Sequence, residues 1–181
     1  MKLQFDKALS FGKVAESIVA RMLMDDSWTV MPVYETDGEY KGPQVFAAGR
    51  SLVAPDMFVW KGKHARWVEA KRKSSFTWHR LTGQWVTGID LRHYEDYLAV
   101  EAGSPWRVCL VFLQEDGEAV DSPSPSPTGL YWQWLSALAH NEHHRWDGGG
   151  SAGPMVYWAE GSLVKARTLE QVRELGKPVV V

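Results

Sequence analysis

Three residues in this 181-residue chain have the types and spacing for metal-assisted phosphodiester hydrolysis. They are Asp56, directly after Pro55, then Glu69 and Lys71 on either side of Ala70. Breaking such a bond requires neutralising charge on the phosphate, generating a hydroxide-like nucleophile and stabilising the leaving oxygen. Hard oxygen ligands around Mg²⁺, with Mn²⁺ as a substitute, supply much of this, and a neighbouring lysine can orient or deprotonate the water. Asp56 and Glu69 are the candidate carboxylate ligands and the Ala70 carbonyl a further one. Lys71 would approach the same phosphate from beside the metal.

The elements around them must bring these groups together. Leu52 to Trp60 reads as a strand, Lys61-Gly62-Lys63 as a tight turn and His64 to Lys71 as the hairpin partner. Period-two alternation in the second strand puts Trp67, Glu69 and Lys71 on one face and Val68 and Ala70 on the other. A hairpin of this kind can set Asp56 and Glu69 close enough to share a metal. Upstream, Ala8, Phe11, Val14, Ala15, Ile18, Val19, Met22 and Leu23 form one apolar stripe, so Lys7 to Met24 reads as a helix with Glu16 at the stripe's edge. Trp28 to Val33 reads as a short strand, and residues 35–50 as a long connection of the functional or mobile type.

Beyond the hairpin, an irregular stretch runs through Gly88, and Ile89 to Val100 has helical spacing at Tyr94, Tyr97 and Leu98. Trp106 to Leu113 is a continuous apolar run, expected as a strand covered on both faces. Ser122 to Pro127, an alternating Ser-Pro segment, is an extended connector. Leu130 to Ala139 reads as helix, Met155 to Ala159 as strand, and Thr168 with Gln171 as a capping box opening a last helix to Leu175. The organisation expected is a core over residues 1–121, the connector 122–127 and a C-terminal α/β elaboration over 128–181 packed on that core.

The element order α, β, β, β, α, β, together with Pro55-Asp56 and Glu69-Ala70-Lys71, resembles the PD-(D/E)XK, restriction-endonuclease-like nuclease superfamily. The resemblance covers residues 8–113. It implies an αβββαβ core with a mixed central sheet flanked by helices. It also implies that Asp56 and Glu69 bind the metal and that Lys71 assists the attacking water. Glu16 matches the glutamate that members often carry on the first helix, as a supporting ligand or water-orienting group. His93, Tyr94 and Tyr97 occupy the helix after the lysine, where members carry polar or aromatic residues. The twelve residues between Asp56 and Glu69 are similar to the spacing in archaeal-type Holliday junction resolvases. The activity implied is Mg²⁺-dependent DNA endonuclease chemistry in recombination, repair, restriction or phage DNA processing, with a homodimer compatible. A non-catalytic nucleic-acid-binding or assembly module retaining the fold is the alternative, against which the intact acid, acid and lysine set argues.

Charge distribution supports a phosphate-facing surface. Residues 61–80 hold seven basic residues against Glu69 alone, a net of +6 that leaves −8 for the rest of a chain whose total is −2. Within or beside that block, Lys63, Arg72, Lys73, His79, Arg80 and, on the next helix, Tyr94 are the candidate DNA contacts. Such backbone contacts carry no sequence information, so structure-guided binding is expected.

Composition excludes several classes. No apolar run approaches the roughly 20 residues of a membrane span, the first residues lack a signal peptide's apolar core, and a single cysteine, Cys109, fits a reducing cytosol. Ten tryptophans read mainly as core. His140, His143 and His144 lack a cysteine or acidic partner at ligand spacing and read as a surface cluster rather than a zinc site. Gly148 to Gly150 lacks the lysine of a phosphate loop and reads as a flexible loop.

Overall fold

A computed structural model of the chain describes residues 2–33, 44–47, 49–149 and 153–175, with side chains from residue 13 onward. The chain opens with α1 (Lys2–Asp25), followed by β1 (Thr29–Pro32), a β2–β3 hairpin (Gln44–Ala47 and Arg50–Val53), β4 (Met57–Lys61) and β5 (His64–Lys73). Next come β6 (Thr77–His79), β7 (Gln84–Asp90), α2 (Leu91–Ala102) and β8 (Val108–Gln114). The C-terminal third supplies β9 (Gly129–Trp134), α3 (Leu135–His140), β10 (His144–Trp146), β11 (Met155–Ala159), β12 (Val164–Arg167) and α4 (Leu169–Leu175).

The architecture is mixed α/β. A six-stranded sheet runs β1-β4-β5-β8-β9-β12, antiparallel throughout except for the parallel β5–β8 pair. A parallel neighbour needs a crossover, and α2 provides it. The αβββαβ order is present as α1, β1, β4, β5, α2 and β8, with the β2–β3 and β6–β7 hairpins inserted.

Both faces of this sheet are covered, and β8 shows why its sequence does not alternate. Cys109, Val111 and Leu113 pack with Val19 and Leu23 of α1, while Leu110 and Phe112 face the other core with Tyr97 and Trp158. Every residue of β8 is buried. α2 begins where the Asp90 carboxylate accepts the Arg92 amide at 2.8 Å. The capping box at α4 forms, with the Thr168 amide donating to Gln171 Oε1 at 2.9 Å and the Gln171 amide to Thr168 Oγ1 at 3.3 Å.

Four expectations change. Leu52 to Trp60 is two strands, because Pro55 has no N–H for a ladder and the Val53 amide donates instead to Asp96 Oδ2 on α2, at 3.0 Å. The stretch through Gly88 is the β6–β7 hairpin, closed by Gly83 at φ 64° and by a Trp78–Trp85 edge-to-face pair at 5.1 Å. Leu130 to Trp134 is a strand, and only Leu135–His140 is helix. Its apolar residues alternate after all, Leu130 and Trp132 toward α1 and Tyr131 toward the opposite core. Of the connection over 35–50, residues 35–43 and 48 lie outside the described residues, while 44–47 and 50–53 form a hairpin.

The second sheet runs β10-β11-β7-β6. Gly88 in β7 is required there, because a Cβ would meet the Val156 carbonyl oxygen at 2.3 Å and the Tyr157 ring at 2.7 Å. Gly88→Ala is expected to destabilise the protein by about 2–3 kcal/mol, measured by urea unfolding. An unchanged midpoint would mean that β7 and β11 are not so closely apposed.

A candidate active site between strands β4 and β5

Asp56 precedes β4 and lies across from Glu69 of β5. Two reciprocal hydrogen bonds lock the pair. The Asp56 amide donates to Glu69 Oε2 at 3.1 Å, and the Ala70 amide donates to Asp56 Oδ2 at 2.8 Å. Each carboxylate is therefore oriented by the backbone of the other strand. In extended backbone the amide and carbonyl of one residue face the same edge. The Ala70 carbonyl accordingly faces the gap that its amide shares with Asp56.

Lys71 and Glu16 complete the group. The Lys71 ammonium contacts Glu69 Oε1, and Glu69 itself is 1% exposed. Glu16, half-buried on α1, is close enough for its carboxyl to be raised by burial and by the Glu69 charge. Asp56 is held well above the ordinary carboxylate range, by burial first and by Glu69 next. For Lys71, burial alone would lower the ammonium, but Glu69, Asp56 and Glu16 together hold it above the ordinary lysine range. Three acids thus share one site with one ammonium in direct contact. A divalent cation fits this set: the donors are hard oxygens, and the raised Asp56 and Glu16 register burial first and then the Glu69 charge, both of which such a cation would offset.

Two groups that sequence reasoning did not assign stand behind these. Tyr97, 1% exposed on α2, lies beside Glu69, and burial followed by the Glu69 charge raises its phenol well above the ordinary range. Asp96, the residue before it, anchors Val53 just ahead of Pro55. Helical spacing marks Tyr94 and Tyr97 as one inward face, and nothing local tells which of them meets an acid. His93 also borders the site, its imidazole lowered by burial and then by Lys71.

The candidate DNA contacts separate. Lys73 lies on the Lys71 face of β5, where burial and the Lys71 charge push its ammonium down to about 8. Arg72 faces the other way and pairs with Glu115 at 2.7 Å. Lys63 is in the exposed turn at the far end of the hairpin, about 20 Å along the strand from Glu69 at 3.3 Å per residue. Arg80 is exposed and paired with Asp121. His79 is engaged by His144, ring on ring at 4.4 Å, and by Thr82.

Tyr94 corrects an expectation: it is 1% exposed, packs against Trp158 at 5.6 Å and donates to Glu142 Oε1 at 2.7 Å, so it cannot reach a nucleic acid. Tyr94→Phe should cost about 1 kcal/mol of stability and leave DNA affinity unchanged. A fall in affinity measured by fluorescence anisotropy would return Tyr94 to the binding surface.

No protein-family model matches the chain, and no curated protein matches it. Among solved structures it is similar to Hjc, a Holliday junction resolvase from the archaeal hyperthermophile Archaeoglobus fulgidus. The TM-score is 0.49 and the identity 9%, over 83% of this chain and 90% of that one. The chemistry of the site rests on its own side chains. Among the described residues no helix is long and apolar enough to cross a membrane.

Proposed function

We propose that the chain is a metal-dependent DNA endonuclease with its active site at Asp56, Glu69, Ala70, Lys71 and Glu16. The observation that carries this reading is the reciprocal locking of Asp56 and Glu69 beside a contacting lysine, with a third acid arriving from α1. An ion pair serving stability alone gains nothing from three mutually repelling acids. A catalytic metal site needs them.

Asp56, Glu69 and the Ala70 carbonyl would hold Mg²⁺, or Mn²⁺ in its place. When bound, such an ion neutralises phosphate charge and acidifies a coordinated water. The backbone hydrogen bonds to Asp56 and Glu69 fix their oxygens in advance, so no reorganisation is needed when the scissile phosphate arrives. Lys71, kept charged by its acids, donates to the attacking water or to a phosphate oxygen. Glu16 orients that water from the α1 side. Tyr97 borders Glu69 from α2 and keeps that side of the site buried. Lys73 meets the phosphate backbone next to the site, and a bound phosphate raises its ammonium from about 8.

The test is to incubate the protein with supercoiled, linear and branched DNA in Mg²⁺, Mn²⁺ or EDTA, beside Glu69→Ala and Lys71→Ala. Metal-dependent cleavage lost in both variants supports the enzyme. Binding without cleavage on every substrate would assign a non-catalytic module instead, and no binding at all would remove both readings.

A further inference from the structure

We propose that His79, His143 and His144 form a second metal site, for Zn²⁺ or a similar borderline transition ion, at the seam where the second sheet closes on itself. One nitrogen from each imidazole lies within 4.8 Å of the others. Two nitrogens on a tetrahedral Zn²⁺ with bonds of 2.0–2.1 Å stand about 3.3 Å apart, a separation reached by small ring movements. The histidines come from segments more than 60 residues apart, so the cluster is a product of the fold and not of local sequence.

The strand order makes the meeting notable. β10 and β6 are the two edges of the four-stranded sheet, and a flat sheet would hold them about 14 Å apart. The His79 and His144 rings nevertheless stack at 4.4 Å. The sheet therefore curls until its edges face one another, and the histidines lie in the gap. A cation there would join two edges that no backbone ladder connects.

Supporting groups resemble those of metal-ligating histidines, which have a polar partner on the nitrogen not used for the metal. Thr82 Oγ1 in the β6–β7 turn meets His79 Nδ1 at 2.8 Å and His143 Nε2 at 3.1 Å. His144 is held flat against Tyr157, at 4.6 Å and 1°. His143 and His144 also approach each other, Nδ1 to Nδ1, at 2.7 Å. A pocket of about 250 Å³ beside His79 and His144 leaves room for water as a fourth ligand. Three imidazoles with an open position suit zinc, whereas the oxygen donors of the acid site suit Mg²⁺. His140, which the sequence groups with the other two, turns back to the Ser136 carbonyl at 2.7 Å and takes no part.

Equilibrium dialysis of the untagged, metal-stripped full chain against Zn²⁺, followed by metal quantification, tests the site apart from the acid centre when done on Asp56→Asn. One Zn²⁺ per chain is expected in that variant, with affinity falling at least about 100-fold on adding His79→Gln and His144→Gln. Co²⁺ in the same Asp56→Asn protein should give the intense visible bands of a four-coordinate nitrogen site, a readout that needs no histidine variant to fold. Absence of those bands, absence of bound Zn²⁺, or Zn²⁺ affinity unchanged by the two glutamines each overturns the proposal.

Discussion

Asp56→Asn is expected to lower cleavage by about 10³-fold or more, roughly 4 kcal/mol, while raising the melting temperature of the metal-free protein. The activity falls because a neutral amide is a poor ligand for a hard divalent cation. The stability rises for the reason that makes Asp56 a good ligand. Burial and Glu69 lift its carboxyl well above the ordinary value of 3.8, so the folded state holds a proton that the unfolded chain releases. Stability from that proton is fully present below the unfolded value and is lost as pH rises through the folded one. At neutral pH an ionised Asp56 therefore works against the fold.

Asparagine removes that charge and keeps an oxygen for the Ala70 amide. A gain in stability is expected, read as a melting temperature above that of the parent. Melts in EDTA at pH 5 and pH 8 check the sign, because the gap between variant and parent should be wider at pH 8. Mg²⁺ should raise the melting temperature of the parent alone. A variant less stable than its parent at pH 8 would show that Asp56 is not repelled by its neighbours.

How much of this was legible before the fold was known depends on what each residue's environment is made of. The Glu69–Lys71 pairing on one face follows from the two-residue period of a strand, a local property, and so it could be read directly. The gap after Pro55 was less accessible. The decisive partner of Val53 is Asp96, on a helix 43 residues later, and nothing near position 53 announces it. Leu130 to Trp134 shows another limit. Its apolar residues serve both faces of the sheet, Leu130 and Trp132 on one and Tyr131 on the other, so the run shows no clean two-residue period to separate it from buried helix. Tyr94 and Tyr97 look alike in sequence, yet one donates to Glu142 and the other lies beside Glu69. Likewise the His79–His143–His144 group is visible only once two distant sheet edges meet. Local period and turn chemistry were readable, whereas partners supplied by non-local packing were not.

Lys71→Met should have the opposite effect on stability to Asp56→Asn while sharing its effect on activity. Glu69, Asp56 and Glu16 hold the Lys71 ammonium above its ordinary 10.5 despite burial. A base raised in this way contributes stability that is fully present below the unfolded value and lost only as pH rises through the folded one. Its loss is thus felt across the whole neutral range. Removing one partner from a buried charge cluster leaves the others uncompensated, and about 3 kcal/mol is expected at pH 7 in EDTA.

Cleavage should fall about 10²-fold to 10⁴-fold, the range for a group that positions or transfers the proton of the nucleophile. Lys71→Arg separates the two roles. It restores charge, hence most of the stability, but its planar fork does not place a single donor where the ammonium was, so activity stays low. In the double variant Asp56→Asn/Lys71→Met the need for a counter-charge is itself reduced. The stability changes should therefore fail to add by about 0.5–3 kcal/mol, the double variant being the more stable than the sum predicts. Urea unfolding of the four proteins at pH 7 measures that coupling. Strict additivity would mean that Lys71 and Asp56 do not interact, and the acids would then have to be balanced by a charge other than Lys71.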